Sequence, residues 1–154
     1  MAAPSSRLMK GGNMLAKLET ILRENSLCVL CTEAAGNPYC SLMTYLLSDD
    51  RRTLYLVATR ESRKFKNLLA NPRVSVLVDS RQHPTAGANI VSVTFAGLFQ
   101  PLADSENQRI KTAFAREHQE LTEILNHPDR VIFAIKLTSY LLLDGPVAAD
   151  QGDL

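Results

Sequence analysis

The chain of 154 residues contains no tryptophan, only five phenylalanines and four tyrosines, and three cysteines. Three is an odd number of cysteines, and a chain of 154 residues is long enough to bury a core without disulfide staples. The polar start MAAPSSRLMKGGN carries no apolar signal core, so a reducing, cytoplasmic setting is expected. No apolar run approaches the roughly 20 residues that span a bilayer, which excludes a membrane helix. Neither sign of charge is in excess: 17 Lys and Arg face 16 Asp and Glu, a net charge of +1 that argues against a nucleic-acid or membrane-surface partner. The patterns GxxxxGK[ST], GxGxxG and GxSxG are all missing, and with them the common phosphate loops and the esterase elbow. His83, His118 and His127 form no HExxH or similar ligand spacing, so no metal is expected. There is no internal repeat and no βαβ alternation of the kind a Rossmann fold requires.

What is present reads as one soluble domain. Hydrophobic residues make up 45% and charged residues 21% of the chain, and a chain of this length buries about 70% of its unfolded surface. The near-zero net charge hides an uneven distribution. Between residues 51 and 73, Arg51, Arg52, Arg60, Arg63, Lys64, Lys66 and Arg73 face only Glu61, a local balance of +6, which leaves −5 for the remainder.

The expected organisation is a flexible N-terminal arm over 1–12, one domain over 13–145 and a mobile tail over 146–154. Asn13 is a plausible cap for a first helix in which Leu15, Leu18, Ile21 and Leu22 recur at helical spacing. LCVLCTE and PYCSLMTYLL flank Ala34-Ala35-Gly36-Asn37, whose Gly and Asn tolerate positive φ, so they read as a hairpin. TLYLVAT extends it as a meander. A short helix follows, with Ser62 as its cap and Phe65, Leu68 and Leu69 on one face. RVSVLVD alternates with Val74, Val76 and Val78 inward, NIVSVTFAGLF is a long strand that Gly97 bends or bulges, and 104–126 carries Ile110, Phe114, Leu121 and Leu125 at helical spacing. RVIFAIKL and SYLLLD are the last strands. Cys28 and Cys31 fall on opposite faces of a strand and cannot easily share a metal; all three cysteines are read as buried and inert. Strands apolar on both faces, notably PYCSLMTYLL and TLYLVAT, imply either a barrel covered outside by helices or a barrel face buried in a dimer.

One segment carries an unusual charge pattern. In Thr59-Arg60-Glu61-Ser62-Arg63-Lys64 a strand gives way to a helix, with two cations in the first helical turn. Cations there oppose the helix macrodipole, and a bound anion reverses that penalty. A phosphate at this point accepts hydrogen bonds from free backbone N–H groups and from the Ser62 and Thr59 hydroxyls, while Arg63 and Lys64 neutralise it. The competing reading is a solvated basic helix face with Ser62 merely a cap. A nucleic-acid footprint is disfavoured, because Tyr55 and Phe65, the only interleaved aromatics, are strand and helix-core positions.

The order of helix, strand GNPYCSLMTYLL, strand TLYLVAT and then SRKFKNLLANPRVSVLV resembles the FMN-binding split-barrel family of the pyridoxamine 5'-phosphate oxidases. The similarity covers about residues 14–143, and its most specific part is Ser62-Arg63-Lys64 followed by Asn71-Pro72-Arg73-Val74. The resemblance implies a mainly β fold, a split barrel of Greek-key type with about six or seven strands and flanking helices. It implies FMN as cofactor, with Ser41, Leu42, Met43 and Thr44 beneath the flavin ring, Ala58 and Thr59 near the ribityl chain and phosphate, and Ser62, Arg63 and Lys64 on the phosphate. Since side chains alternate along a strand, some of the contacts from 41–44 must come from the backbone. For Leu42 and Met43 ordinary core packing is the competing reading. The family assembles as homodimers with the flavin between protomers, and such an interface is large and hydrophobic.

The chain also departs from the family pattern. Ser41 stands where the oxidases carry an Arg, tryptophan is absent, and SYLLLDGPVAAD lacks the aromatic and basic residues that close over the flavin and bind a phosphorylated substrate. The expectation is therefore a flavin-dependent oxidoreductase acting on an unidentified small molecule or electron donor, with no catalytic side chain identified. The alternative is a non-catalytic flavin-, deazaflavin- or haem-binding protein.

Overall fold

The computed structural model describes residues 11–154. Helix α1 (Gly11–Glu24) leads into strands β1 (Leu27–Ala34), β2 (Asn37–Thr44), β3 (Leu46–Leu47) and β4 (Thr53–Thr59). Helix α2 (Arg63–Ala70), strands β5 (Arg73–Asp79) and β6 (Val91–Pro101), helices α3 (Asp104–Glu117) and α4 (Thr122–Leu125), and strands β7 (Arg130–Asp144) and β8 (Ala148–Asp153) complete the chain. The strands form one antiparallel sheet in the order β2-β1-β5-β6-β7-β4-β3, with β8 added along β7. Consecutive β2 and β3 lie at its two ends, so the curled sheet nearly closes on itself. This is the expected split barrel with helices around it, now with eight strands.

Most of the local sequence rules hold. The β1–β2 turn uses positive φ at Ala35 (51°) and Gly36 (78°), a pair that matches the twist of a tight hairpin. Asn37, expected to share that role, is instead the first residue of β2 and donates its side-chain amide to the Ala35 carbonyl at 3.1 Å. Val74, Val76 and Val78 face the core. At Ala96–Gly97 the β6–β7 register shifts, and a Cβ on Gly97 would stand 2.7 Å from Ile135 Cγ2. Gly97 is therefore a bulge set by close packing as well as by backbone freedom.

Three expectations need correction. The first helix has already begun at Gly11, ahead of Asn13; residues 1–10 of the expected arm lie outside the described residues. In α2, Leu69 is 65% exposed, and Asn67 holds the buried position through a 3.0 Å hydrogen bond to the Thr32 hydroxyl. The tail is a strand. Along one side of β7 the β4 ladder ends at Thr53↔Lys136, and β8 resumes it from Ser139↔Asp153, pairing main-chain groups that would otherwise lie at an open edge.

Two apolar cores result. Inside the barrel, Leu30, Leu54, Leu56, Val76, Phe95 and Phe133 pack together, with α1 contributing Met14, Leu18, Ile21 and Leu22. On the outside of β4 and β7, Val57 and Ile132 meet Ile110 and Phe114 of α3 and Leu125 of α4. That second core explains why TLYLVAT is apolar on both faces. Leu54, Leu56 and Ala58 point into the barrel, whereas Tyr55 and Val57 lie under the helices.

Candidate functional site

Helix α2 is anchored by Phe65, whose ring lies 6.1 Å from that of Phe99 and 6.2 Å from that of Phe133. This fixes the helix start at the end of β4. The Ser62 hydroxyl donates to the Thr59 carbonyl at 2.8 Å and accepts from the Phe65 N–H at 3.4 Å, so it is a true N-cap. Its one proton is committed to the turn. The first turn contains no acidic residue. Among the described residues, the main-chain N–H groups of Arg63 and Lys64 meet no acceptor, and neither side chain has a carboxylate partner. Lys66 differs: its ammonium pairs with Glu61 at 2.9 Å. What remains is a concentrated, uncompensated positive end at the start of α2.

Tyr39 links this end to β2. The Arg63 guanidinium lies 4.8 Å from the centre of the Tyr39 ring, a cation–π contact that holds the arginine over the strand. Tyr39 shares the inward face of β2 with Ser41 and Met43. Met43 is buried in the barrel core, and Ser41 Oγ is buried with no hydrogen-bond partner among the described residues. Leu42 and Thr44 point to the other face, where Leu42 is 69% exposed.

The main chain of β2 follows from its register. Tyr45 N–H donates to Ser26 at 2.9 Å, which makes that pair a hydrogen-bonded one. Antiparallel ladders alternate. Counting along the β1–β2 register, Met43, Ser41 and Tyr39 bond to β1, while Thr44, Leu42 and Cys40 turn their N–H and C=O groups away from it. Because β2 ends the sheet path, those groups lie along an open edge. The alternation expected from the sequence thus has a concrete form: Leu42 and Thr44 offer main-chain groups at the edge, and Ser41 and Met43 offer side chains to the interior.

The other expected positions divide the same way. Ala58 is buried in the barrel core, and half-buried Thr59 lies on the opposite face, directly across from Arg130 of β7. Arg130 and Tyr39 are the residues that sequence reasoning missed. Each meets the site only through pairing between segments distant in sequence, and no local pattern signals that. The structure therefore brings Thr59, Ser62, Arg63 and Lys64 together at one turn, with β2 joined to them through Tyr39.

The cavities lie elsewhere in part. A cleft of about 640 Å³ between β3–β4 and α3, lined by Tyr55, Asp50, Arg109 and Arg116, includes none of the expected site residues. A groove of about 380 Å³ on the outer face of β2, β1 and β5 includes Leu42, together with Val29, Leu77 and Arg81. Leu42 also begins a row directly paired through Leu42–Val29–Leu77–Thr94–Leu141 across five strands, apolar except at Thr94, and among the described residues no helix core covers it.

The donor set fits a phosphorylated, ring-bearing cofactor. Unpaired cations and free amides suit the phosphate, an open strand edge suits polar ring atoms, and the orphaned Ser41 hydroxyl offers a further donor or acceptor. Two of the three histidines have local partners: His118 contacts Glu120 at 3.1 Å, and His127 Nδ1 accepts from the Asp129 N–H at 3.1 Å. No cluster of metal-ligating side chains occurs among the described residues, and no described helix is long and apolar enough to cross a membrane.

Comparison with known proteins places this geometry in a family. A sequence model of the pyridoxamine 5'-phosphate oxidase family matches residues 14–143. No curated protein matches the chain significantly in sequence. Among solved structures, a heme binding protein of Mycobacterium smegmatis superposes with a TM-score of 0.78 at 18% identity, covering 99% of this chain and 60% of its own. The chain thus spans under two thirds of that protein. A FAD-binding protein of Mesorhizobium loti gives a TM-score of 0.69 at 23% identity, covering 82% of this chain and 91% of its own. General Stress Protein 26 of Bacillus anthracis gives 0.71 at 21%, covering 92% and 99%. These similarities establish a common fold.

Proposed function

The chain belongs to the pyridoxamine 5'-phosphate oxidase family, and on that premise we propose that it binds FMN as a homodimer and acts as an oxidoreductase on a small molecule. The carrying observation is the start of α2, whose first turn holds no acidic residue and where Arg63 and Lys64 have no carboxylate partner among the described residues. In this reading the Arg63 and Lys64 side chains and main-chain N–H groups hold the phosphate. Tyr39 keeps the Arg63 head in place, and Thr59 borders the phosphate from the end of β4. The open edge at Leu42 and Thr44 positions the ring by main-chain hydrogen bonds. A bound flavin supplies hydride transfer, so the protein's share is position, electrostatics and exclusion of water.

The second protomer covers the row Leu42–Val29–Leu77–Thr94–Leu141, in which Leu42 and Leu141 are exposed and Val29 and Leu77 half-buried among the described residues. Ser41, in the place of the oxidases' Arg, points inward, which argues against the phosphorylated vitamin as substrate. The alternative reading, a non-catalytic flavin-, deazaflavin- or haem-binding protein, draws on the heme binding described for the Mycobacterium smegmatis structure. Absorption of the purified protein separates the two. A two-band flavin spectrum, with released FMN and bleaching by a nicotinamide donor, supports the oxidoreductase. A Soret band, or a colourless protein that takes up no FMN, overturns it.

A further inference from the structure

Cys31 of β1 and Cys40 of β2 are directly opposite in register, with Sγ atoms 3.3 Å apart. They occupy a non-hydrogen-bonded position of the ladder, where Cα atoms come within about 4.5 Å and side chains approach most closely. That separation lies inside the span of about 4.4–6.8 Å that a disulfide bridges without backbone movement. Pro38, which has no N–H to lose, occupies another such position opposite Glu33, in keeping with this phase. Of the three cysteines expected to be buried, only Cys28 is, in the barrel core on the opposite face; Cys31 is half-buried and Cys40 exposed.

We propose that Cys31 and Cys40 form a reversible disulfide, made by a hydroperoxide and opened by a dithiol, that clamps the edge strand β2 to β1. The two thiols are unequal, and this sets the order of steps. Burial, then the hydrogen bond to Cys40, pushes Cys31 up to about 11, so the exposed Cys40 reacts first. The Cys40 thiolate attacks one oxygen of the peroxide and breaks the O–O bond, giving a sulfenic acid and releasing water (an alcohol from an alkyl hydroperoxide). Cys31 sulfur then attacks Cys40 sulfur, the S–O bond breaks, and a second water leaves. Each thiol has lost one hydrogen, and the peroxide has been reduced by two electrons. An external dithiol reverses the bond by exchange through a mixed disulfide. Cys28, pushed up to about 12 chiefly by burial, takes no part. The site requires no bound cofactor.

The test uses the full chain treated with hydrogen peroxide, then denatured, alkylated with a maleimide and cleaved after Glu33, which separates the two cysteines into different peptides. The expected result is a chain lighter by two hydrogens with one alkylated thiol, Cys28, and a Cys31–Cys40 crosslinked peptide pair that a dithiol dissolves. Amide exchange across residues 37–44 slows several-fold in the oxidised form. Cys31→Ser leaves a Cys40 sulfenic acid that a dimedone probe traps. Unchanged thiols, Cys40 overoxidised while Cys31 still takes the maleimide, a crosslink through Cys28, or a Cys40–Cys40 bond between chains overturns the disulfide. Unchanged exchange in the crosslinked chain overturns the clamp.

Discussion

Strands β4 and β2 lie toward opposite ends of one curled sheet, and their outer faces meet different fates. On β4, Tyr55 and Val57 lie under α3 and α4, and the same strand fills the barrel with Leu54, Leu56 and Ala58. β2 contributes Met43 to the barrel core, leaves Ser41 Oγ without a partner among the described residues and exposes Leu42. One strand has both faces satisfied within the chain. The other carries an apolar side chain and a free backbone edge that nothing among the described residues covers. An exposed edge of this kind is a liability unless something occupies it. In the proposed homodimer a second protomer covers the face and the cofactor meets the edge, while the charged start of α2 stands beside both.

The comparison is broken most directly by removing its best-covered side chain. Phe114→Ala empties the centre of the outer core, where Phe114 is fully buried, and should destabilise the fold by about 3–5 kcal/mol in denaturant titrations. Leu42→Ala on the open side should change the stability of the single chain by less than about 0.5 kcal/mol while weakening self-association by ultracentrifugation. Equal losses would mean that β2 is as well covered as β4. Gly97→Ala tests the close approach of β6 to β7; the Ile135 and Val74 side chains must give way, at a cost of about 1–3 kcal/mol. At the hairpin tip, Ala35→Asn removes a left-handed strain that alanine tolerates poorly and should stabilise by about 0.5–1 kcal/mol.

A further effect is electrostatic and shows only in alkali. Burial raises Cys28 to about 12 in the folded state, above an unfolded value of about 8.5. Its neutral thiol therefore contributes fully below about pH 8.5, and the contribution is lost as pH rises toward 12. Unfolding followed by calorimetry should show Cys28→Ala flattening the alkaline decline, and an unaltered decline would contradict the assignment.

Much of the fold is legible locally. The Ser62 cap, the inward valines of β5, the bulge at Gly97 and the cover over TLYLVAT each follow from residue type and period. The misses have a common physical cause. β8 forms because β7 outruns β4 and needs a partner, although AADQGD carries no strand pattern. Asn67 displaces Leu69 from the buried face because Thr32, far off in sequence, offers a hydroxyl. Tyr39 under Arg63, Arg130 across from Thr59 and Cys31 against Cys40 are consequences of register, which local sequence does not reveal. The charged turn at Ser62–Lys64 is visible in the sequence as an anomaly, and the structure explains which parts of it remain free. Among the described residues, the Arg63 and Lys64 amides meet no acceptor and neither side chain has a carboxylate partner, whereas the Ser62 hydroxyl is already engaged.

The central claim is that this turn holds one phosphate. Replacing both Arg63 and Lys64 by Ala, and titrating FMN and riboflavin against the variant and the parent protein, tests it most directly. The account predicts that FMN affinity falls by several kcal/mol, at about 1.5–3 kcal/mol for each charge-assisted hydrogen bond removed, while riboflavin affinity hardly changes. An equal loss for the two ligands would contradict it.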